Sequence, residues 1–109
     1  MEMRTPSYYA LAALIDGPLH GYAIVRRAAE LSDGTVHLST GTLYALLDRA
    51  IDAGLVVAGE PYVKGGRTRR DYALSQAGRD QLDAEAQRLL RASRTVVRRL
   101  RATSPVAAQ

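Results

Sequence analysis

The sequence predicts a mainly α-helical domain with a small β hairpin, followed by one long helix. Apolar residues recur at three- and four-residue spacing in four separate segments, which is the period of amphipathic helices. Two short runs rich in Val and Tyr follow the third segment and are separated by Gly and basic residues. The chain has 109 residues, so these elements must share one core of modest size.

The first helix is predicted over residues 6–16, with Pro6 in its first turn and Gly17 as its stop. Residues 8–15 leave this helix almost no polar face. A helix that is apolar on all sides must be covered on all sides, and a three-helix core cannot do that alone. We therefore expect a second subunit to cover its outer side.

The second helix is predicted over residues 21–31, with Tyr22 turned at least partly inward, and the third begins at Ser39 or Thr40 and stops at Gly54. At about 100° per residue, the third helix has one apolar face and one free face. The apolar face consists of Leu43, Leu46, Leu47, Ala50 and Ile51. The free face consists of Thr42, Ala45, Asp48 and Arg49. Small side chains at the start of the free face allow close approach to the floor of a DNA groove, so the two helices indicate a helix-turn-helix.

Residues 55–63 and 70–74 are predicted as two strands joined by a basic turn over residues 64–70. Pro61 cannot donate to a strand ladder, so the hairpin lies at an edge or carries a bulge. Two strands alone are marginally stable, so the hairpin must pack on the helices. Three helices followed by such a hairpin form a winged helix-turn-helix.

The last helix is predicted from its N-cap Ser75 to about residue 102. Roughly 27 residues of helix span about 40 Å, so much of its apolar side would be exposed in a monomer. That side is formed by Leu82, Ala86, Leu89, Leu90, Ser93, Val96, Val97 and Leu100. Arginines occupy the remainder, at Arg88, Arg91, Arg94, Arg98 and Arg101. We expect the apolar side, together with Tyr8, Leu11 and Ile15 of the first helix, to form a dimer interface across a two-fold axis.

These assignments divide the chain into three parts. Residues 1–74 form a winged helix-turn-helix unit, residues 75–103 a dimerisation helix within the same compact domain, and residues 104–109 a flexible tail.

Composition excludes several classes of function. Without Cys the chain has no disulfide framework, thiolate metal site or thiol chemistry. No segment approaches the roughly 20 apolar residues of a membrane span and no signal peptide is present, so the sequence predicts a cytoplasmic protein. His20 and His37 have no partner at ligand spacing, so we expect no metal and no cofactor. Ser39 with His37 is the one faint catalytic pair and lacks a third group, so we do not expect an enzyme.

Four short motifs combine with this pattern of elements. PLHGYAI stands at residues 18–24, LSTGTLY at 38–44, AGLV at 53–56 and YALSQAGR at 72–79. Together they resemble the PadR family of bacterial transcriptional regulators, over residues 7–100. The resemblance implies a cytoplasmic homodimer whose third helices enter the major groove of DNA and whose wings contact the backbone or the minor groove. It also implies that the last helices form the dimer interface.

The chain departs from the family pattern in two places. The family usually has Pro where this chain has Thr40, which also starts a helix, so the docking element is retained. Many members carry a Trp or another large aromatic residue on the last helix, on which flat drugs stack, whereas the last helix here has none. This difference argues against planar-drug sensing and, with the length of the helix, places the chain with the short-tailed members.

The candidate DNA-binding residues lie on the third helix and in the basic turn. They are Ser39, Thr40, Gly41, Thr42, Tyr44, Ala45, Arg49, Lys64, Arg67 and Arg69. Tyr44 borders the apolar face, so its side chain either contacts a phosphate or packs in the core. The basic turn is either a set of phosphate contacts or a solvated hairpin tip. Asp48 and Asp52 would repel phosphates, so only the first turns of the third helix are expected to enter the groove.

Alternatives remain for the other basic residues and for the function. Arg26 and Arg27, like Arg49, fit either DNA contacts or surface charge, and the six Arg beyond residue 86 are interpreted as a solvated face. The predicted function is a double-stranded-DNA-binding regulator, most simply a repressor acting as a homodimer on a pseudo-palindromic operator. The space between the two last helices is a candidate pocket for an unidentified small-molecule effector. The alternative is a winged helix that serves protein contacts alone, while RNA binding is disfavoured because aromatic stacking platforms are absent.

Overall fold

The computed structural model describes residues 3–106, which form four α-helices and five short β-strands. In chain order these are α1 (Thr5–Ala12), β1 (Leu19–His20), α2 (Gly21–Leu31), α3 (Thr40–Asp52), β2 (Val56–Ala58), β3 (Tyr62–Lys64), β4 (Arg67–Arg69), β5 (Asp71–Leu74) and α4 (Gln76–Ala102). The core lies among the first three helices and is closed by Val56 and Tyr72 of the sheet and by Leu82 of α4. The predicted class, mainly α-helical with a small β element and a long last helix, is confirmed.

The first helix is shorter than the sequence predicts. α1 ends at Ala12 rather than near residue 16. The amides of Leu14 and Ile15 donate to carbonyls three residues back, so the chain continues in tight turns up to Gly17. Gly17 has a φ of 142°, a backbone region that favours glycine, and the chain turns there towards β1.

The core of the single chain covers more of this segment than its apolar sequence suggests. Leu11 is only 2% exposed, so its side chain is already buried in its own chain and offers little surface to the predicted dimer interface. Ile15 is exposed and Tyr8 is half-buried on the outer side. Only the outer part of the segment is therefore available to a partner.

α2 and α3 form the predicted helix-turn-helix, and α2 has the predicted bounds. Ser39 is the N-cap of α3, and its hydroxyl accepts a hydrogen bond from the amide of Thr42 at 3.2 Å. The predicted apolar face of α3 is buried except at Ile51, which is half-buried, and Leu43 and Leu47 are fully enclosed. These contacts fix the orientation of the free face of α3.

The β-structure consists of two small sheets rather than one long hairpin. β1, β5 and β2 form an antiparallel sheet with β5 in the centre, and β3 pairs with β4 separately. The predicted strands over residues 55–63 and 70–74 are therefore wrong in extent. The amide of Gly59 still donates to the carbonyl of Asp71 at 2.7 Å, and the chain leaves the first ladder after it, where Pro61 has no amide to donate.

The β3–β4 hairpin, residues 62–69, is the wing. The predicted basic turn over residues 64–70 is wrong, because Arg67 and Arg69 lie within a strand and only two residues form the turn. These are Gly65 and Gly66, with φ values of 60° and 75°. Two residues with positive φ suit the tight turns whose twist matches that of paired strands.

α4 begins as predicted and packs closely on the chain before β2. The hydroxyl of Ser75 accepts a hydrogen bond from the amide of Gly78 at 3.0 Å. A Cβ atom on Gly78 would lie 2.0 Å from the carbonyl oxygen of Leu55, so this contact requires glycine. Leu82, one turn further on, is 6% exposed and belongs to the core, so little of its side chain is left for a partner, and its place in a dimer interface stays a prediction.

Glu85 is a buried carboxylate that joins the N-terminal segment to α4. It is 3% exposed and accepts hydrogen bonds from the backbone amide of Met3, at 2.6 Å, and from the guanidinium of Arg88. The hydrogen bond from Arg88, followed by that from Met3, holds the pKa of Glu85 below its ordinary value. The chain before α1 is thus tied to the last helix.

The distal half of α4 projects from the core. The molecule measures 63 × 28 × 21 Å along its principal axes. From Leu89 onwards the apolar side of α4 is exposed, reaching 68% at Leu100. No helix within residues 3–106 is long and apolar enough to cross a membrane. Of the predicted flexible tail, residues 107–109 lie outside the described part, and the three predicted parts of the chain remain predictions.

Candidate nucleic-acid interface

A cleft of about 570 Å³ opens between the start of α2, the exposed side of α3 and the wing. The side chains that line it are basic, hydroxylic, aromatic or small, and none of them is a carboxylate. They are His20, Gly21, Tyr22, Tyr44, Pro61, Arg67, Thr68, Arg69, Arg70 and Tyr72. Three of the predicted site residues, Tyr44, Arg67 and Arg69, therefore meet in one cleft.

Tyr44 is exposed rather than part of the core. Its hydroxyl oxygen lies over the start of α2, where a Cβ atom on Gly21 would approach it to 2.7 Å. Glycine at this position leaves room for the phenol between the two helices. The phenol can therefore present its hydroxyl to a ligand in the cleft.

The start of α2 contributes groups that the sequence did not predict. His20 is the N-cap, and its side chain makes no capping hydrogen bond. The first amides of a helix have no partner within the helix and carry the positive end of its dipole. Because Gly21 and Tyr22 line the cleft, this helix end faces it.

Tyr22 points outward, so its predicted inward orientation is wrong. The side chain is 71% exposed, and the guanidinium carbon of Arg26 lies 5.7 Å from the centre of its ring. Ile24 is fully buried, and two positions along a helix correspond to about 200° of rotation. That spacing was the signal from which the exposure of Tyr22 could have been predicted.

The basic residues of the wing share one face. Lys64 pairs with Arg67 and Tyr62 pairs with Arg69, and side chains of directly opposed residues in an antiparallel ladder lie on the same side. The hydroxyl of Tyr62 donates to Asp71 at 2.7 Å, across the break between the wing and the central strand. This hydrogen bond to the carboxylate is the main cause of the raised pKa of Tyr62. The wing is thereby attached to β5 near the cleft.

Tyr72 lines the cleft from the central strand. Burial is the main cause of its raised pKa, so the phenol keeps its proton and remains a hydrogen-bond donor.

The first turns of α3 bury Leu43 in the core and leave their other side exposed, next to Tyr44 of the cleft. Exposed positions there are Ser39, Thr40, Gly41, Thr42 and Ala45. Asp48 and Asp52 are exposed further along the same helix. The approach of α3 to a polyanion is therefore favourable at its start and unfavourable beyond.

Two of the predicted basic residues do not line the cleft. Lys64 lies at the end of β3 next to the wing turn. Arg49 lies on the other flank of α3, in a groove that it shares with Arg4 and Ser7. Arg27 pairs with Asp16 and with Glu30 at 3.4 and 3.3 Å. Within residues 3–106 no group of three or more His, Asp or Glu side chains is placed to hold a metal ion.

The sequence model of the PadR-like family of transcriptional regulators matches residues 10–84, which include α2, α3, both sheets and the start of α4. The chain belongs to the PadR-like family. The match covers more than half of the chain, as the four sequence motifs predict.

Solved structures of PadR-family proteins share the fold. A PadR family regulator from Eggerthella lenta superposes with a TM-score of 0.67 at 27% identity, over 92% of this chain and 84% of that one. One from Clostridium difficile gives a TM-score of 0.72 at 21% identity, over 89% and 99% of the two chains. PadR of Bacillus subtilis, in complex with operator DNA, gives 0.65 at 20% identity, over 97% of this chain and 52% of that one. At 20% and 21% identity, the last two structures support a common fold alone. Together the three structures confirm the predicted winged helix with a long C-terminal helix.

A curated relative extends beyond this chain. An uncharacterised 37.1 kDa protein in a transposon of Streptomyces fradiae is 41% identical over 93 residues. The match covers 85% of this chain and 25% of the relative, so the chain spans a quarter of that protein's length.

Proposed function

We propose that this PadR-like protein binds double-stranded DNA at a specific sequence and regulates transcription as a homodimer. The observation that carries the proposal is the cleft between α2, α3 and the wing, whose lining holds three guanidinium groups and no carboxylate. Clefts of this charge attract the phosphates of a nucleic-acid backbone. The proposal includes a cytoplasmic site of action, and binding alone requires no catalysis or cofactor.

The cleft would hold one backbone phosphate beside the major groove. Tyr44 and the amides at the start of α2 would donate hydrogen bonds to it, and Arg67 and Arg69 would supply charge from the wing. Such contacts position the protein on DNA without selecting a sequence.

Sequence selection would come from the start of α3. Thr40, Thr42 and Ala45 are exposed beside the cleft, and their small size lets the helix approach base edges. The carboxylates of Asp48 and Asp52 would keep the rest of the helix away from the phosphates. The B. subtilis protein, which has the same fold, was solved in complex with operator DNA, and this supports DNA as the ligand.

The homodimer would form through α1 and α4. Leu89, Leu90, Val96, Val97 and Leu100 are exposed along one side of α4, with Ile15 on α1. Burial of apolar area at roughly 25 cal/mol per Å² would stabilise a dimer. Two copies across a two-fold axis would place two α3 helices on a pseudo-palindrome, and occupation of a promoter would repress it. A small-molecule effector would lie between the paired helices.

A winged helix that serves protein contacts alone is the competing function, and DNA binding separates the two. Selection from random duplexes should recover a two-part motif whose half-sites lie one or more helical turns apart. Gel-shift titration at two salt concentrations should show binding that weakens with salt, and Arg67→Ala should lower the salt slope by about one. Arg99→Ala, which removes the same charge from the distal part of α4, serves as the matched control. Recovery of no motif and no salt-dependent binding would leave the protein-contact function.

A further inference from the structure

The start of α3 presents an exposed surface without any charged or amide side chain. From the N-cap to the second turn, its exposed residues are Ser39, Thr40, Gly41, Thr42, Tyr44 and Ala45. Tyr44 lines the cleft, where its hydroxyl would hold a phosphate, so it is not available to a base. Hydroxyl groups, methyl groups and the bare backbone of Gly41 are therefore what this surface offers to the floor of a major groove.

The residue types that identify guanine, adenine and cytosine are missing from this surface. In the major groove, Arg or Lys reads guanine, Asn or Gln reads adenine, and Asp or Glu reads cytosine. Residues 39–47 contain none of the six. Asp48 lies further along the helix, and Arg49 lines a separate groove with Arg4 and Ser7. Thymine is the base that needs none of these groups, because its C5 methyl group is recognised by apolar contact with Ala or with the methyl group of Thr.

The side chain of Thr42 is held in one orientation. Its hydroxyl oxygen accepts a hydrogen bond from the hydroxyl of Ser39 at 2.9 Å, and Ser39 accepts one from the amide of Thr42 at 3.2 Å. These two hydrogen bonds fix the hydroxyl branch of Thr42, and the direction of its methyl branch is fixed with it. The proton of the Thr42 hydroxyl is left to donate. Thymine presents the matching pair in the major groove, the O4 acceptor beside the C5 methyl group.

Ala45 extends this surface into the next turn. It lies about 60° around the helix from Thr42, on the exposed side, and contributes a second methyl group. Gly41 lies about 40° from Ala45 and carries no side chain. The backbone of α3 can therefore come close enough for two short side chains to contact the bases.

We propose that α3 reads thymine in each half-site of the DNA through the C5 methyl group. The methyl groups of Thr42 and Ala45 contact thymine methyl groups in the major groove, and the hydroxyl of Thr42 donates to the O4 atom of one of these bases. This inference rests on the DNA binding of the proposed function. It adds the base that is selected and the atoms that select it.

Removal of single methyl groups from the DNA tests the proposal. Selection from random duplexes first supplies the motif, and each of its thymines is then replaced by uracil, which lacks only the C5 methyl group. At the contacted positions of each half-site the replacement should weaken binding about fourfold, the amount expected for one buried methyl group. Uracil outside the motif is the control and should leave the affinity unchanged.

Removal of methyl groups from the protein identifies their partners. Thr42→Ser keeps the hydroxyl and its hydrogen bonds to Ser39 and lacks only the methyl group. It should weaken binding to the thymine motif about fourfold, and uracil at one position should then cause no further loss. Ala45→Gly should likewise cancel the effect of uracil, and the comparison of uracil with thymine in this same variant removes any general effect of the added glycine. Thr95→Ser, which removes the same methyl group from an exposed position on α4, is the matched control.

The outcomes separate this proposal from the proposed function. If selection finds no motif and binding does not depend on salt, DNA binding itself fails and thymine readout fails with it. If a motif is found in which no half-site thymine responds to uracil, DNA binding stands and thymine readout is refuted. Uracil effects of equal size in wild type, Thr42→Ser and Ala45→Gly would mean that the methyl group acts through the shape of the DNA, and would also refute the contacts with α3.

Discussion

Tyr44 and Gly21 meet where the two helices of the helix-turn-helix approach each other. The hydroxyl oxygen of Tyr44 would be 2.7 Å from a Cβ atom at Gly21, so the absence of a side chain there sets the position of the phenol. The motif PLHGYAI supplies the glycine and LSTGTLY the tyrosine. The position of the Tyr44 hydroxyl at the cleft thus depends on both motifs.

Gly21→Ala should displace the ring of Tyr44 and weaken binding to all duplexes alike, by roughly the two- to tenfold expected for one lost hydrogen bond. The end of the ring can move aside, but the new Cβ would also lie 3.2 Å from Cδ2 of the buried Leu43, so we expect a modest loss of stability as well. Tyr44→Phe should have the same effect, and the double variant should be no weaker than either single one. Gel-shift titrations on specific and random duplexes check this, and additive losses would show that the two residues act independently.

Among the elements, the wing has the weakest attachment to the rest of the fold. It forms its own two-stranded sheet, and the chain between the two sheets includes Gly59 and Pro61. The hydrogen bond from Tyr62 to Asp71 crosses this break at 2.7 Å. It therefore orients the face that carries Arg67 and Arg69.

Tyr62→Phe should release the wing without unfolding the protein. We expect faster amide hydrogen exchange in residues 62–69 and a loss of DNA affinity of at most about tenfold, since one exposed hydrogen bond is removed. Val63→Ala, on the opposite face of the same strand, is the control. Unchanged exchange in the wing of Tyr62→Phe would show that the hydrogen bond does not hold it.

The contact between α4 and the N-terminal segment predicts a dependence on pH. The pKa of Glu85 is lowered by its hydrogen bonds, so the charged form stabilises the fold. This contribution is fully present above the ordinary pKa of a Glu side chain and is lost as the pH falls through the lowered value. Glu85→Gln should therefore be less stable than wild type near pH 7 and should lose less stability on acidification. Urea unfolding between pH 7 and pH 3 measures the free energy of unfolding of each protein. Glu60→Gln, at an exposed position, is the control. Equal dependence of stability on pH in wild type and Glu85→Gln would contradict the prediction.

At the scale of the whole molecule, the projecting half of α4 dominates the shape. The radius of gyration is 17.6 Å, against about 13 Å for a compact domain of this length. A single chain cannot cover the apolar side of this projection. The shape therefore supports assembly as the function of α4.

Val96→Asp should leave the single chain folded and abolish the dimer, because Val96 is 57% exposed in one chain and would be buried between two. Val57→Asp is the matched control, with the same exposure in β2 and outside the α4 surface. Circular dichroism should show folded protein for both variants. Sedimentation should find monomers for Val96→Asp and dimers for Val57→Asp. The same oligomeric state for both variants would mean that the interface lies elsewhere.

The sequence by itself determined what depends on local pattern. The apolar period set the buried face of α3, the N-caps Ser39 and Ser75 set where two helices begin, and the motifs set the family. These features follow from contacts between residues close in the chain, which spacing alone records.

Only the tertiary structure decided how distant segments share the core. Leu11 and Leu82 have the same apolar character as the exposed residues of α1 and α4, yet they are buried, because other elements happen to pack over them. The relative placement of α2, α3 and the wing brings Tyr22 and Arg70 to the cleft and leaves Arg49 outside it. Burial and proximity of this kind arise from long-range packing, which depends on all the elements at once and leaves no periodic signal in any single segment.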